Sequence, residues 1–300
     1  MTRNMVRFAI RLVALFFVVA FLFGSLTFMP LFLPLSPEQR DFSSIEADAQ
    51  RGGYVARMAG CIACHNGGVF AQGFLAGGKP LKSPFGSFFG PNLTPHEDGL
   101  AGWSREDFVR AVATGVGRQG EPLYPALPYR FYARMTDQDL ADLWAAFQSV
   151  PPAAGERQDH QLHWPFGVRE LLRLWRFLAP IQQPFESDPA RSEDWNRGAY
   201  IVTGPGHCGA CHTPRDFLGR PDEAAALAGA DLNGEKVPSL DAVALLKEGW
   251  SVESLAEGLQ LGVMPSGDVF SGSMAHVVRE STRYLTYADR IAIATYLLEP

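Results

Sequence analysis

Hydrophobic and polar positions follow two rhythms along the chain. From Leu12 to Pro37 no residue is charged, and the run LVALFFVVAFLFGSLTFMPLFLPL is long enough to cross a bilayer, which takes about 20 apolar residues. It outlasts the apolar core of a cleavable leader and ends without a small-residue cleavage site, which predicts an uncleaved anchor over 12–35 rather than a removed signal peptide. Arg3, Arg7 and Arg11 precede the run, while Glu38, Asp41, Glu46 and Asp48 follow it. That asymmetry puts the first 11 residues in the cytoplasm and everything after Ser36, from the 36–49 linker onward, on the periplasmic side of the inner membrane.

Beyond the linker the rhythm is helical. Ser104 with Asp107 reads as a capping box, and Phe108, Ala111 and Val112 line one face behind it. Thr136 opens TDQDLADLWAAF, with Leu140, Leu143, Trp144 and Phe147 at helical spacing; SVESLAEGL and TYADRIAIATYL repeat both patterns later. No alternating run reads as a strand, so the expected fold is all-α. Between 151 and 195 the segment HWPFGVRELLRLWRFLAP sets Val168, Leu171, Leu172, Trp175 and Leu178 on one helical face and Arg169, Arg173 and Arg176 largely on the other. Such a helix either packs between domains or rests on a membrane surface.

The repetition is systematic. An offset of 147 carries Cys61 to Cys208, Pro91 to Pro238, Leu93 to Leu240, Trp103 to Trp250, Gly115 to Gly262 and Gly120 to Gly267. Arg51-Gly52-Gly53-Tyr54 matches Arg197-Gly198-Ala199-Tyr200 at 146, and Thr136 and Asp139 match Thr286 and Asp289 at 150. The chain therefore reads as two copies of one domain, 50–150 and 196–300, joined by the 151–195 connection.

Composition adds compartment and partners. The net charge is −6, and the three arginines before residue 37 leave −9 on the remainder, a poor match to nucleic acid and a good one to a basic protein face. The four cysteines, Cys61, Cys64, Cys208 and Cys211, form two CxxC pairs, each followed directly by His65 or His212. A CxxCH turn is the attachment site of haem c, with two thiols for the porphyrin vinyl groups and the histidine for the iron. The competing reading joins both pairs as one four-cysteine zinc site or as disulfides. Pro91 and Pro238 are candidates to accept the second ring N–H of each histidine. For the sixth iron ligand, Met58 sits too close to the attachment turn, which leaves Met135 in the first copy. Met264 and Met274 both remain in the second, with His276 as a lesser alternative. Met135 lines up with Leu285, and Met274 with Leu127. Trp103 and Trp250 read either as haem-edge groups or as core aromatics.

RGGYVARMAGCIACH, FGSFFGPNLTPHEDGLAGWS, YPALPYRFYARMTDQDLADLWAAF, GHCGACHTPRDFLG and GSMAHVVRESTRYLTYADRIAIATYL together resemble the diheme and triheme cytochrome c subunits of membrane-bound bacterial dehydrogenases for alcohols, aldehydes or gluconate. The resemblance implies two tandem class I cytochrome c domains, here behind an N-terminal transmembrane helix, holding two covalent haems c. It implies Met135 and Met274 as sixth ligands, and single-electron transfer from a dehydrogenase to a quinone-linked complex, soluble cytochrome or oxidase. No third CxxCH, the mark of the triheme members, occurs in the 300 residues. Rival readings are a diheme peroxidase or thiosulfate-oxidising enzyme, which needs an open iron position, and the diheme subunit of a haem–copper oxidase.

Overall fold

Two helix crossings organise the molecule, and both depend on a glycine. The computed structural model describes residues 40–232 and 234–299, so the expected anchor at 12–35 lies outside the described residues. Helix α1 (Ala49–Met58) is capped by the Asp48 carboxylate, leads into the short turn α2 (Cys61–His65), and crosses α5 (Asp137–Ser149) at Gly52. A Cβ on Gly52 would come within 1.8 Å of the Asp142 carbonyl oxygen. In the second half α7 (Glu193–Thr203) crosses α12 (Tyr287–Leu298) at Gly198, where a Cβ would meet the Ala292 oxygen at 1.9 Å. Only a residue without Cβ lets these backbones approach so closely.

Between each pair of crossing helices the two halves run in parallel fashion. The first has α3 (Arg105–Val109), whose last turn widens over Arg110–Thr114, and α4 (Tyr129–Tyr132). The second has α8 (Gly209–His212), α9 (Ala242–Lys247), α10 (Val252–Leu261) and α11 (Gly272–Glu280). The capping box read at Ser104 forms, with Asp107 N–H donating to Ser104 Oγ at 3.1 Å and Ser104 N–H to the Asp107 carboxylate at 3.2 Å. Thr136 and Thr286 cap α5 and α12, each accepting at 3.1 Å from the backbone of Asp139 or Asp289. Two buried apolar clusters result. One gathers Ile62, Leu93, Phe108, Met135, Leu140 and Phe147; the other gathers Ile201, Val202, Trp250, Leu259 and Ile293 and takes in Met58 from the first half.

The expectation of an all-α fold of two tandem class I cytochrome c domains behind an N-terminal transmembrane helix is corrected. Strand accounts for 10% beside 42% helix, and among the described residues no helix is long and apolar enough to cross a membrane. Strands β1 (Pro80–Ser83) and β2 (Gly86–Phe89) form an antiparallel hairpin, which β3 (Gln161–Leu162) extends from the connection; β4 (Ala230–Leu232) pairs with β5 (Glu235–Val237). Strands of two to four residues are too short to show the alternation by which a strand is read from sequence.

The halves are joined by an exchange that repeats itself. Tyr54, on α1, donates its hydroxyl to Asp289 at 2.6 Å and accepts from Thr286 N–H at 3.0 Å, at the start of the other half's last helix. Tyr200, at the matching place on α7, donates to Asp139 at 2.5 Å and accepts from Thr136 N–H at 3.2 Å. Each half thus helps to cap the other's final helix through the same patch, the pattern of a two-fold contact. Helix α6 (Leu171–Leu178) adds a strap. Arg176 donates to the Thr114 and Gly115 carbonyls, Arg169 to that of Pro122, and Trp175 Nε1 to Leu218 in the second half. These arginines thus bond to the protein, and Arg176 meets the carbonyl end of a helix, where a cation is favoured.

Burial raises the pKa of Asp139 against the opposing pull of the Tyr200 hydroxyl. Burial would raise Asp289 too, but the Arg197 guanidinium, 2.8 Å away, and Tyr54 outweigh it and hold its pKa down. Tyr54→Phe and Tyr200→Phe should each lower stability by about 1–3 kcal/mol in denaturant unfolding, as loss of a hydrogen bond to a carboxylate does; an unchanged midpoint for both contradicts the exchange. A depressed carboxylate stabilises above its unfolded pKa of about 3.9 and loses that contribution as pH falls through its folded value. Asp289→Asn should therefore flatten the acid limb of stability against pH, and an unaltered limb contradicts the assignment.

Candidate functional site

Each CxxCH segment folds as a single helical turn entered through left-handed backbone, at Gly60 (φ 65°) in the first half and His207 (φ 40°) in the second. The turn brings both cysteines and the histidine to one place. His65 Nδ1 lies 2.8 Å from the Pro91 carbonyl oxygen, and His212 Nδ1 lies 2.8 Å from that of Pro238. A carbonyl only accepts, so Nδ1 carries the proton and donates, which leaves the Nε2 lone pair for a metal. Burial lowers the pKa of both rings, against the raising effect of the prolyl carbonyl, and so favours the neutral form that ligates.

The wall beside each turn is built to one plan. Leu75 and Leu227 take left-handed backbone (φ 61° and 62°), although leucine disfavours it. Their N–H groups donate to the side chain after the histidine, Asn66 Oδ1 at 3.2 Å and Thr213 Oγ1 at 3.0 Å. Their carbonyls accept from Leu93 and Leu240, at 2.9 and 2.8 Å, two residues past the prolines. Gly77 and Gly229 close the frame by donating to the His65 and His212 carbonyls at 3.1 and 2.8 Å. Sequence reasoning missed this corner. Its signal was the tripeptide Leu-Ala-Gly at 75–77 and 227–229, which recurs at an offset of 152 and so escapes the 147 register.

None of the four cysteines is paired in a disulfide. Burial pushes the Cys61 and Cys208 thiols up to about 12. Burial also raises Cys64, and the Cys211 thiol adds to the effect. Among the described residues no three His, Cys, Asp or Glu side chains gather to hold a metal ion, so the single four-cysteine zinc site finds no geometry. The residues present fit a covalent haem at each turn: two thiols, a neutral histidine and an orienting carbonyl.

The methionines divide. Met274 lies on the first turn of α11, half-buried against the second apolar cluster, and Met264 packs on that cluster too. Met135 is 0% exposed, enclosed in the first cluster just before α5, and the structure does not bring its sulfur to a surface. Trp250 is a core aromatic packed on Phe270, its Nε1 3.4 Å from the Glu248 carboxylate; Trp103 packs half-buried on the first cluster. His276 is exposed and bonded to the Arg279 side chain.

No protein-family model matches the chain. The fructose dehydrogenase cytochrome subunit of Gluconobacter japonicus is 39% identical over 251 residues, 82% of this chain and 51% of that protein. A diheme cytochrome c-type protein of Cereibacter sphaeroides is 37% identical over 269 residues, 88% of this chain and 90% of its own length. The gluconate 2-dehydrogenase cytochrome c subunit of Pantoea cypripedii is 37% identical over 295 residues, covering 93% and 64%. The chain spans about half the length of the fructose and alcohol dehydrogenase subunits that it matches.

Thr213→Ala removes the acceptor of the Leu227 N–H at a buried corner, and should cost about 1–3 kcal/mol in thermal or denaturant unfolding. Thr213→Ser keeps the hydroxyl and should cost much less. Equal losses for the two variants would contradict the hydrogen bond's role.

Proposed function

The chain belongs to the family of diheme cytochromes c and cytochrome c subunits of dehydrogenases, and from that membership we propose that it holds two haems c and relays single electrons from a dehydrogenase to a respiratory acceptor. The observation that carries this reading is the duplicated lock, a CxxCH turn whose histidine Nδ1 meets a prolyl carbonyl at 2.8 Å in both halves. Membership makes the chain an electron-transfer cytochrome; the number of haems, the donor and the acceptor belong to the proposal.

Haem c supplies, when bound, an iron that exchanges one electron. This chain's residues hold and tune it. Cys61 and Cys64, and Cys208 and Cys211, provide the thiols for two covalent attachments. His65 and His212 present Nε2, and the bond from Nδ1–H to Pro91 or Pro238 fixes the ring's rotation and raises its basicity as a ligand. Met274, half-buried on α11, is the sixth ligand proposed for the second haem. The groups at both turns are thereby committed to holding a haem, in keeping with a subunit that carries electrons while another subunit oxidises the substrate.

Five relatives are named as cytochrome subunits of fructose, alcohol or gluconate dehydrogenases, and the donor proposed here is a dehydrogenase of this kind that oxidises a small hydroxylated substrate. The −9 charge beyond residue 36 favours docking on a basic face of that partner. We also place the haem domains on the periplasmic side, from the three arginines that precede the uncharged run.

Mass spectrometry of the denatured chain should find two covalent haems, one in a Cys61→Ala/Cys64→Ala variant and one in a Cys208→Ala/Cys211→Ala variant. A redox titration should resolve two one-electron steps. A chain purified from its native host without covalent haem would overturn the reading.

A further inference from the structure

The two halves agree around each histidine and differ where the 147 register meets the candidate methionines. The loop that leads to Met274 is matched bond for bond in the first half. Gly117 N–H donates to the Glu121 carbonyl and Met264 N–H to that of Asp268, both at 2.8 Å. Gly120 closes on Gly117 at 3.0 Å as Gly267 does on Met264 at 2.9 Å. Leu123 N–H reaches the Gly115 carbonyl at 2.9 Å as Phe270 reaches Gly262 at 2.8 Å. The 147 register is therefore kept by the backbone up to Leu123 and Phe270, and four residues further it pairs Leu127 with Met274. Leu127 packs, partly buried, on the cluster that holds Cys61, Leu75 and Leu93; Met274 packs on the one beside Cys208, Leu227 and Leu240.

The first half offers no other methionine to this place. Met135 aligns with Leu285, directly before the caps Thr136 and Thr286; both side chains are core, at 0% and 4% exposure, and the Met135 carbonyl is held by Arg40 at 2.9 Å. Met58 is 2% exposed and packs into the second cluster. A sulfur that bonds an iron has to present surface outside the protein's own atoms, and neither does. The choice of ligand in the second half does not alter the outcome, because the counterpart of Met264 is Gly117, which has no side chain.

We propose that the first haem has no methionine ligand and, with Leu127 where Met274 stands in the other half, keeps an iron position open to a small neutral exogenous ligand such as carbon monoxide. This rests on the reading of two haem sites and replaces Met135 as a ligand. A thioether ligand raises the reduction potential, so the first haem is also the lower-potential one of the pair. Leucine leaves the site apolar, which favours neutral diatomic molecules over anions.

The test uses the full haem-loaded chain, with covalent haem counted first by mass. Reduced protein titrated with carbon monoxide should bind one molecule per two haems, and the oxidised spectrum should show the far-red methionine–iron band at the intensity of one haem. Leu127→Met should abolish carbon monoxide binding, double that band and raise the lower potential. Met135→Leu, a nearly volume-conserving change, should alter neither stoichiometry nor band. Loss of methionine-band intensity in Met135→Leu, or no carbon monoxide bound by a chain carrying two haems, overturns the inference. Fewer than two covalent haems would instead refute the two-site reading beneath it.

Discussion

The bond from a histidine ring to a prolyl carbonyl is the constraint around which each half is arranged. It fixes which nitrogen carries the proton, and so which one can serve a metal, at His65 and at His212 alike. The carbonyl has to be delivered by a loop distant in sequence, and the corner at Leu75 or Leu227 does so. That corner ties the residue after the histidine, the histidine's own carbonyl and the strand of chain beyond the proline into one frame. The left-handed leucines are backbone strain tolerated for this purpose, of order 1–3 kcal/mol each, held by hydrogen bonds at N–H and carbonyl, with Leu75 buried and Leu227 half-buried.

Duplication then acts at a second level. The halves are not beads on a string: Tyr54 and Tyr200 reach across to each other's final helices, Met58 enters the second apolar cluster, and α6 bonds to both halves. Reciprocal caps at helix starts hold the two halves together through polar groups that find their partners across the contact. The same duplication permits divergence. At 127 and 274 the 147 register pairs a leucine with a methionine, a difference of the kind that duplication allows.

Much of this was legible before any coordinates. The CxxCH pairs, the 147 register, the capping signatures at Ser104, Thr136 and Thr286, and the family resemblance were carried by residue types at fixed spacings, which sequence records directly. What was lost depended on distance in space. The short strands β1 to β5 are stabilised by partners across a turn or from the connection and leave too brief a pattern to read. Tyr54 and Tyr200 were visible as a matched pair, yet nothing in a helical periodicity says that a tyrosine will cap a helix in the opposite copy. The arginine face of α6 leaves packing and a membrane surface both readable, and only the carbonyl partners of Arg169 and Arg176 show that it packs on the protein. Elimination picks Met135 because that half has few methionines; how deeply each methionine is buried is a packing fact that a count of candidates does not contain.

The account stands most directly on what the two histidines do once haem is attached. A crystal structure of the haem-loaded chain, with iron located by its anomalous scattering, measures this. The account predicts two irons, each bonded to Nε2 of His65 or His212, with Nδ1 of the same ring still hydrogen-bonded to the Pro91 or Pro238 carbonyl. An iron bound through Nδ1, or a histidine turned away from its proline, would contradict it.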